Sequence, residues 1–187
     1  MKKIQVEITG ETPLLMNSPK AMLLEASGEV QGKLKKRDPK IEAEKVAYRM
    51  EKSSKFKKGE LYVPAEAIKG TLINAASYKK VGKYALRPII AGGTRIQPRQ
   101  IGLGTENYEI DARTVVIQRA RVVKQRPILN KWKINFEIIY NEKMIGDDKI
   151  IKQCLEEAGE RVGILDFRPE HTGEFGCFKV TKWKATN

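Results

Sequence analysis

The stretch RTVVIQRARVVKQRPILNKWKINFEIIY, from Arg113 to Tyr140, decides the fold. It contains two strand patterns, Arg113 to Lys124 and Lys131 to Tyr140. The residues between them, Gln125 to Asn130, include a proline and an asparagine, which are typical of a connection. From Trp132 onwards every second residue is apolar, so one face of the second strand is expected to lie on a core. We therefore predict a hairpin in which these two strands pair.

The segments on either side of this hairpin complete a regular order of elements. Asp147 and Asp148 are expected to cap a helix that ends at Gly163, and a final strand follows from Cys177 to Lys184. On the other side, an alternating strand runs from Lys3 to Leu15, and Pro64 opens another amphipathic helix. The order predicts an α+β, ferredoxin-like (RRM-like) βαββαβ fold with an antiparallel sheet.

Two basic segments interrupt this order, one after the first strand and one after the first helix of the fold. Residues 17–58 are expected to form a thumb-like insert, and residues 87–110 a second, irregular one. Within the first insert, Asp38 is expected to cap a short helix that has Pro39 at its first position. We expect one domain over residues 1–187.

The charge of the chain indicates a polyanionic partner. The 187 residues include 36 Lys and Arg against 23 Asp and Glu, which gives a net charge of +13. Each Lys or Arg that neutralises a phosphate releases a counterion, so nucleic acid is the first hypothesis. No apolar run reaches the length of a membrane span, and we expect a soluble, cytoplasmic protein without a membrane partner.

Cysteine and histidine are too sparse for several kinds of site. Cys154 and Cys177 are far apart and belong to no Cys/His cluster, so neither a zinc site nor a disulfide framework is indicated. His171 is the single histidine, which excludes a multi-histidine metal site. We expect no cofactor.

Three stretches have the composition of a site that grips phosphates with basic loops and helix N-termini. The first is LYVPAEAIKG, Leu61 to Gly70, in which a strand leads through a proline into a helix. The second is RPEHTGEFG, Arg168 to Gly176, a loop with two glycines for close backbone approach. The third is TPLLMNSP, Thr12 to Pro19, at the start of the first insert.

In these stretches the chain resembles the repeat-associated mysterious proteins (RAMPs) of CRISPR–Cas systems. Thr12–Pro13–Leu14 resembles their first turn, Tyr62 to Gly70 the stretch that opens their first helix, and Gly173 to Phe178 their terminal glycine-rich loop. Ala65, Glu66 and Ala67 stand where the family carries glycine and serines. The single domain with a large insert is most similar to RAMP backbone subunits, which polymerise along guide RNA.

The resemblance implies an RNA-binding backbone subunit of a CRISPR-type ribonucleoprotein. Its partners would be a guide-like RNA, copies of itself and other subunits of the complex. Lys69, Arg168 and His171 would lie near the guide backbone, and the insert would lie between bases.

The candidate RNA-contacting residues are basic or polar, and most lie in the inserts, the hairpin or the terminal loop. They are Asn17, Lys33, Lys35, Lys36, Arg37, Lys69, Arg113, Arg119, Arg121, Arg126, Arg168 and His171. Strand alternation is expected to place Arg113, Arg119 and Arg121 on one face of the sheet. The alternative for these arginines is pairing with acids such as Glu137, and for the lysine clusters a solvated surface.

Two other functions remain open from the sequence. Asp38 stands in the insert where some RAMP backbone subunits carry an aspartate that helps to cleave RNA, so a metal-dependent endoribonuclease using Mg²⁺ is one alternative, although the N-cap interpretation is favoured. His171 is also a general acid–base candidate, but a contact with phosphate or base is favoured. The other alternative is a RAMP-like RNA-binding protein of a virus or mobile element.

Overall fold

The computed structural model describes residues 1–19, 38–117 and 119–186. The basic cluster expected at Lys33, Lys35, Lys36 and Arg37 lies outside the described residues. In chain order the described strands are β1 (Lys2–Gly10), β2 (Leu14–Leu15), β3 (Tyr62–Pro64), β4 (Lys80–Val81), β5 (Tyr84–Ala85), β6 (Thr94–Gln97), β7 (Gln100–Gly102), β8 (Glu109–Ile117), β9 (Ala120–Leu129), β10 (Lys133–Tyr140) and β11 (Phe178–Thr186). The described α-helices are α1 (Pro39–Lys45), α2 (Ala65–Ala75), α3 (Leu86–Gly93), α4 (Glu142–Ile145) and α5 (Asp148–Glu157).

The main sheet has four strands in the order β11-β1-β10-β6, and all neighbours are antiparallel. In its centre Ile4 lies opposite Ile138 and Ile8 opposite Ile134, and all four are fully buried. Intervening residues such as Asn135 are exposed on the other face. The alternation predicted for β1 and β10 therefore puts one face of this α+β structure on the core.

Helices α2 and α5 supply the other half of the core. Their fully buried residues are Ile68, Leu72 and Ala75 of α2 with Ile151, Cys154 and Leu155 of α5. Asp147 accepts a hydrogen bond from the backbone N–H of Lys149 at 2.9 Å, which confirms the predicted N-cap of α5. After α5 a π-helical turn, Ala158–Val162, ends at Gly163 with φ +71°.

The expected pairing of residues 113–124 with residues 131–140 is wrong. The chain reverses within the first of these segments, and β8 pairs with β9 along its whole length, from Glu109 opposite Ile128 to Ile117 opposite Ala120. Arg119 occupies the turn with φ +68°. β10 pairs instead with β1 and β6, because its alternating apolar face completes the core.

This reversal also separates two of the candidate arginines. Arg113 lies opposite Lys124, whereas Arg121 lies opposite Val116. Because cross-strand partners share a face and Val116 is three residues from Arg113, the two arginines lie on opposite faces of the hairpin. The expectation that Arg113, Arg119 and Arg121 share one face is therefore wrong.

Residues 87–110 are more regular than the sequence predicts. They contain most of α3 and the strands β6 and β7, of which β6 forms one edge of the main sheet. Gly92 and Gly93 indicate a loop by composition, but both lie in α3. A Cβ atom at Gly93 would stand 3.0 Å from the side chain of Ile145, so close packing against α4 explains that glycine.

Candidate nucleic-acid interface

The three stretches singled out in the sequence meet at one cleft of about 390 Å³. The cleft lies between Asn17 and Tyr48 on one part of its rim, one side of α2, and the loop that follows α5. Its lining residues are Asn17, Tyr48, Pro64, Glu66, Ala67, Gly70, Thr71, Asn74, Gly163, Ile164, Leu165, Asp166 and Arg168. Two of the candidate RNA-contacting residues, Asn17 and Arg168, therefore face the same space.

The first turn of α2 forms the mouth of the cleft. Pro64 precedes the helix and carries no side-chain cap, and the backbone N–H of Ala65 donates to the carbonyl of Arg99 at 2.9 Å. The next backbone N–H groups, at Glu66 and Ala67, belong to the turn that carries the positive end of the helix dipole. Backbone donors at this position suit an anionic group such as phosphate.

The middle of α2 forms one wall of the cleft. Gly70 and Asn74 follow Glu66 at intervals of four residues and thus lie on the same side of the helix. The buried hydroxyl of Thr71 donates to the carbonyl of Gly163, which joins this wall to the residue that follows the π-helical turn after α5. A Cβ atom at Gly70 would meet no heavy atom within 4 Å, so the wall is open at this point.

The terminal loop, residues 165–176, forms another wall of the cleft. Backbone hydrogen bonds join this loop to residues 12–15. The N–H of Asp166 donates to the carbonyl of Leu15 at 3.1 Å, and the N–H of Gly176 donates to the carbonyl of Pro13 at 2.9 Å. Gly176 has φ +73°, and a Cβ atom there would collide with the backbone of Ile164. The motif at residues 12–15 thus positions the loop.

Arg168 is the basic side chain among the residues that line the cleft, and two acids, Glu66 and Asp166, line it as well. Its guanidinium donates to the carboxylate of Glu170 at 2.8 Å and to the carbonyl of Leu165 at 2.9 Å. Glu66 is exposed at the mouth, and Asp166 is bonded to Arg126 at 2.5 Å. A phosphate that entered the cleft would compete with Glu170 for Arg168.

His171 lies next to the cleft rather than in its lining. It ends the 3₁₀ turn Pro169–His171, and its side chain is exposed. Its Nε2 atom is 4.0 Å from a carboxylate oxygen of Glu170. The ring is therefore accessible from solvent.

Lys69 points away from the cleft. Its ammonium donates to the carbonyl of Ile90 at 2.9 Å and to the carbonyl and hydroxyl of Thr94 at 2.5 Å, and so it closes the C-terminal end of α3. Burial lowers the pKa of Lys69 to about 8. In this position Lys69 stabilises the packing of α2 against α3, and its expected place near a guide RNA stays a prediction.

Two of the four candidate arginines in the β8–β9 hairpin form ion pairs with aspartates, and the other two are exposed. Arg113 bonds to Asp111 at 2.9 Å and lies 4.6 Å from the ring centroid of Phe175. Arg126 is only 5 % exposed, and its partner is Asp166 of the terminal loop rather than an acid of β10. Arg119 and Arg121 are exposed at the end of the hairpin.

Asn74 and Glu66 belong to the cleft although no motif identified them as contact residues. Their signal in the sequence is the spacing of four residues from Glu66 through Gly70 to Asn74, which places all three on one side of a helix. The buried stripe of Ile68, Leu72 and Ala75 dominates the pattern of α2 and conceals this second stripe.

Asp38 caps α1, as the favoured interpretation predicts. One of its carboxylate oxygens accepts from the backbone N–H of Lys40 at 2.9 Å. Within residues 1–19, 38–117 and 119–186, no three His, Cys, Asp or Glu side chains lie close enough together to hold a metal ion.

Comparisons with known proteins support a relationship at the level of the fold. No family model and no curated protein matches the chain. Among solved structures, a chain of "Type III-B Cmr-beta bound to cognate target RNA" matches the whole chain with a TM-score of 0.60 and 15% identity. A chain of a "CRISPR RNA-guided surveillance complex" matches 94% of it with a TM-score of 0.38 and 9% identity.

The chain spans 61% of the Cmr-beta chain that it matches, and 66% of the surveillance-complex chain. No helix in the described part of the chain is long and apolar enough to cross a bilayer. The match over the whole chain agrees with the fold implied by the motifs at residues 12–14, 62–70 and 173–178. The chain therefore shares the fold of the Type III-B Cmr-beta chain that it matches.

Proposed function

We propose that the chain is an RNA-binding backbone subunit of a CRISPR-type ribonucleoprotein, which grips the phosphates of guide RNA and oligomerises along it. Its core would be a ferredoxin-like βαββαβ unit made of β1, α2, β6, β10, α5 and β11. The sheet order β11-β1-β10-β6 supports this assignment, because the first strand lies between the last and the third. The segments between these elements would be the inserts.

The observation that carries the proposal is the meeting of three separate stretches at one cleft. Residues 12–19, 61–70 and 168–176 lie far apart in the sequence, yet each contributes to the lining. Together they supply the amide of Asn17, the backbone N–H groups of the first turn of α2, and the guanidinium of Arg168. These groups bind phosphate without reading a base.

In the proposed complex a phosphate replaces Glu170 at the guanidinium of Arg168. A guanidinium bonds phosphate oxygens in the same forked geometry in which it bonds a carboxylate, so the exchange preserves its hydrogen bonds. The sequence of the RNA partner would be read by base pairing, as in other RNA-guided effectors. The net charge of +13 and the exposed Arg119 and Arg121 would add sequence-independent attraction.

Contacts between copies of the chain would use the exposed apolar side of the long hairpin. Val116 is 69% exposed and Val123 is 50% exposed, and both lie on the face that carries Arg121. Exposed apolar residues clustered on one face are typical of interaction surfaces. The Cmr-beta structure that shares this fold is bound to cognate target RNA, which supports RNA as a partner.

Size-exclusion chromatography with light scattering, recorded at 260 and 280 nm on protein purified without nuclease, tests the proposal. We expect large assemblies that carry RNA of discrete length. Fluorescence anisotropy should then show that affinity depends little on RNA sequence and falls steeply as salt is raised. A nucleic-acid-free monomer whose affinity for added RNA does not change with salt would contradict the proposal.

A pair of variants locates the binding. Arg168→Ala should weaken RNA binding about fivefold or more, because it removes a charge-assisted contact in the cleft. Lys152→Ala makes the same change in net charge on α5, where Lys152 is 3.7 Å from Glu156, and serves as the matched control. Equal effects of the two substitutions would show that only net charge matters.

A further inference from the structure

Two tyrosines beyond the end of α2 are far more exposed than a tyrosine ring usually is. Tyr78 is 88% exposed and Tyr84 is 74% exposed. Aromatic rings normally supply buried apolar surface, so two rings this open on one small element are unusual. The cleft described above accounts for neither of them.

Tyr84 lies in a small hairpin, and Tyr78 lies two residues before its first strand. Tyr78 ends a 3₁₀ turn that continues α2, and β4 then pairs with β5, with Val81 opposite Tyr84. The backbone N–H of Leu86 donates to the carbonyl of Lys79 at 2.9 Å, which extends the hairpin at its base. The rings are therefore presented by hydrogen-bonded backbone.

All charged side chains of this small hairpin and its flanks are positive. Residues 76–87 contain three lysines and one arginine, and no acidic residue. Lys79 forms an ion pair with Glu157, but in the part of the chain that the structure describes Lys80, Lys83 and Arg87 have no acidic partner. Exposed rings among unneutralised cations are the combination that binds single-stranded nucleic acid, because cations attract the backbone and bases stack on the rings.

The hairpin follows the end of the helix that forms one wall of the cleft. Glu66, Gly70 and Asn74 line the cleft at intervals of four residues, and Tyr78 stands at the next interval. A helical rise of about 1.5 Å per residue places Tyr78 roughly 18 Å beyond Glu66 along the helix axis. Arg161 lies 5.9 Å from the ring centroid of Tyr78 and donates to the carbonyl of Ala75 at 2.8 Å, so it supports this end of the wall.

We propose that Tyr78 and Tyr84 form a stacking platform for unpaired bases of a single-stranded RNA whose backbone lies in the cleft. The inference rests on the proposed RNA binding of the cleft and extends it from phosphate contacts to base contacts. The unneutralised charge of Lys80, Lys83 and Arg87 favours RNA over a protein partner, since phosphates are the polyanion that such a cluster matches.

The test uses the full chain and a fluorescein-labelled oligouridine of about 15 nucleotides, long enough for a groove of this kind. The variants are Tyr78→Ala, Tyr84→Ala, both together, and the corresponding Phe substitutions. We expect the double Ala variant to bind about tenfold more weakly or worse, and the double Phe variant to bind within about twofold of the unchanged chain, because Phe retains the stacking face. Met144→Ala, another exposed apolar truncation, is the matched control and should bind like the unchanged chain.

The salt dependence separates stacking from charge. The Tyr-to-Ala variants should keep the slope of affinity against salt, whereas Lys80→Gln with Lys83→Gln should lower it. Unchanged affinity in the double Ala variant would overturn the inference and leave the proposed function intact. If the unchanged chain does not bind the oligouridine, both the inference and the proposed function are wrong. If the Ala variants lose self-association but keep their RNA affinity, the hairpin is a protein contact and the inference is wrong.

Discussion

The guanidinium of Arg126 donates to the carboxylate of Asp166 across 2.5 Å and joins the long β8–β9 hairpin to the loop that borders the cleft. A second nitrogen of Arg126 lies 3.8 Å from Asp111 of the neighbouring strand. On its other side the same loop is fastened by the bond from the N–H of Asp166 to the carbonyl of Leu15. The shape of the cleft thus depends on an arginine that does not line it.

Replacing Arg126 should destabilise the protein and displace the loop. Arg126→Met leaves the carboxylate of Asp166 without its cation, whereas Asp111 keeps its bond to Arg113, and we expect a loss of about 3 kcal/mol in the free energy of unfolding. Urea denaturation measures it. Arg119→Met, an exposed change in the hairpin turn, is the control and should alter stability by less than about 0.5 kcal/mol. Equal losses would mean that the buried bond contributes nothing particular.

A methyl group at Gly176 should open the terminal loop. Gly176 has φ +73°, and the added Cβ would collide with the backbone of Ile164, so the loop has to move. Gly82→Ala is the matched control, since Gly82 has φ +59° but no heavy atom within 4 Å of the added carbon. We expect Gly82→Ala to cost about 1 kcal/mol of backbone strain, and Gly176→Ala clearly more. Thermal melting compares them, and equal shifts would contradict the role of close packing.

The elements that the sequence predicts well have local causes. The helix α5 has an aspartate cap, an apolar stripe and a terminating glycine, and the structure contains all three. The reversal at Arg119 has no such signal, because the turn contains neither glycine nor asparagine and the residues on both sides favour strands. β6 has only four residues, and its partner β10 lies more than 30 residues later, so its place in the sheet depends on tertiary packing.

The candidate site also has features that the local sequence predicts and features that depend on tertiary packing. The motifs at residues 12–19, 61–70 and 168–176 predict which segments form the cleft, because proline, glycine and basic residues mark the turns that approach one another. The residues around Lys69 in the sequence do not predict where its side chain points. It depends on carbonyl groups at the end of α3, which accept from its ammonium only after α2 and α3 have packed together.

Removing the negative charge of Glu66 should strengthen RNA binding. Its carboxylate stands exposed at the mouth of the cleft, beside the backbone N–H groups proposed to bind phosphate. Glu66→Gln keeps the shape of the side chain, and a like charge a few ångströms away costs about 1 kcal/mol, so affinity should rise about fivefold. Glu51→Gln, an exposed residue outside the cleft lining, makes the same change in net charge. Fluorescence anisotropy compares the two, and equal gains would show that the effect is not local to the cleft.

Lys69 should make stability depend on pH in the alkaline range. Burial lowers its pKa to about 8 in the folded chain, from an ordinary value of 10.5. Between these values the unfolded chain binds more protons, so this residue should increase the free energy of unfolding as pH rises from about 8 to about 10.5. The increase should be missing in Lys69→Met and also in Lys69→Arg, whose guanidinium stays charged throughout. Urea denaturation of the three proteins at several pH values measures it, and the comparison cancels the titration of all other groups. A constant difference between the unchanged chain and both variants across this range would show that burial does not perturb Lys69.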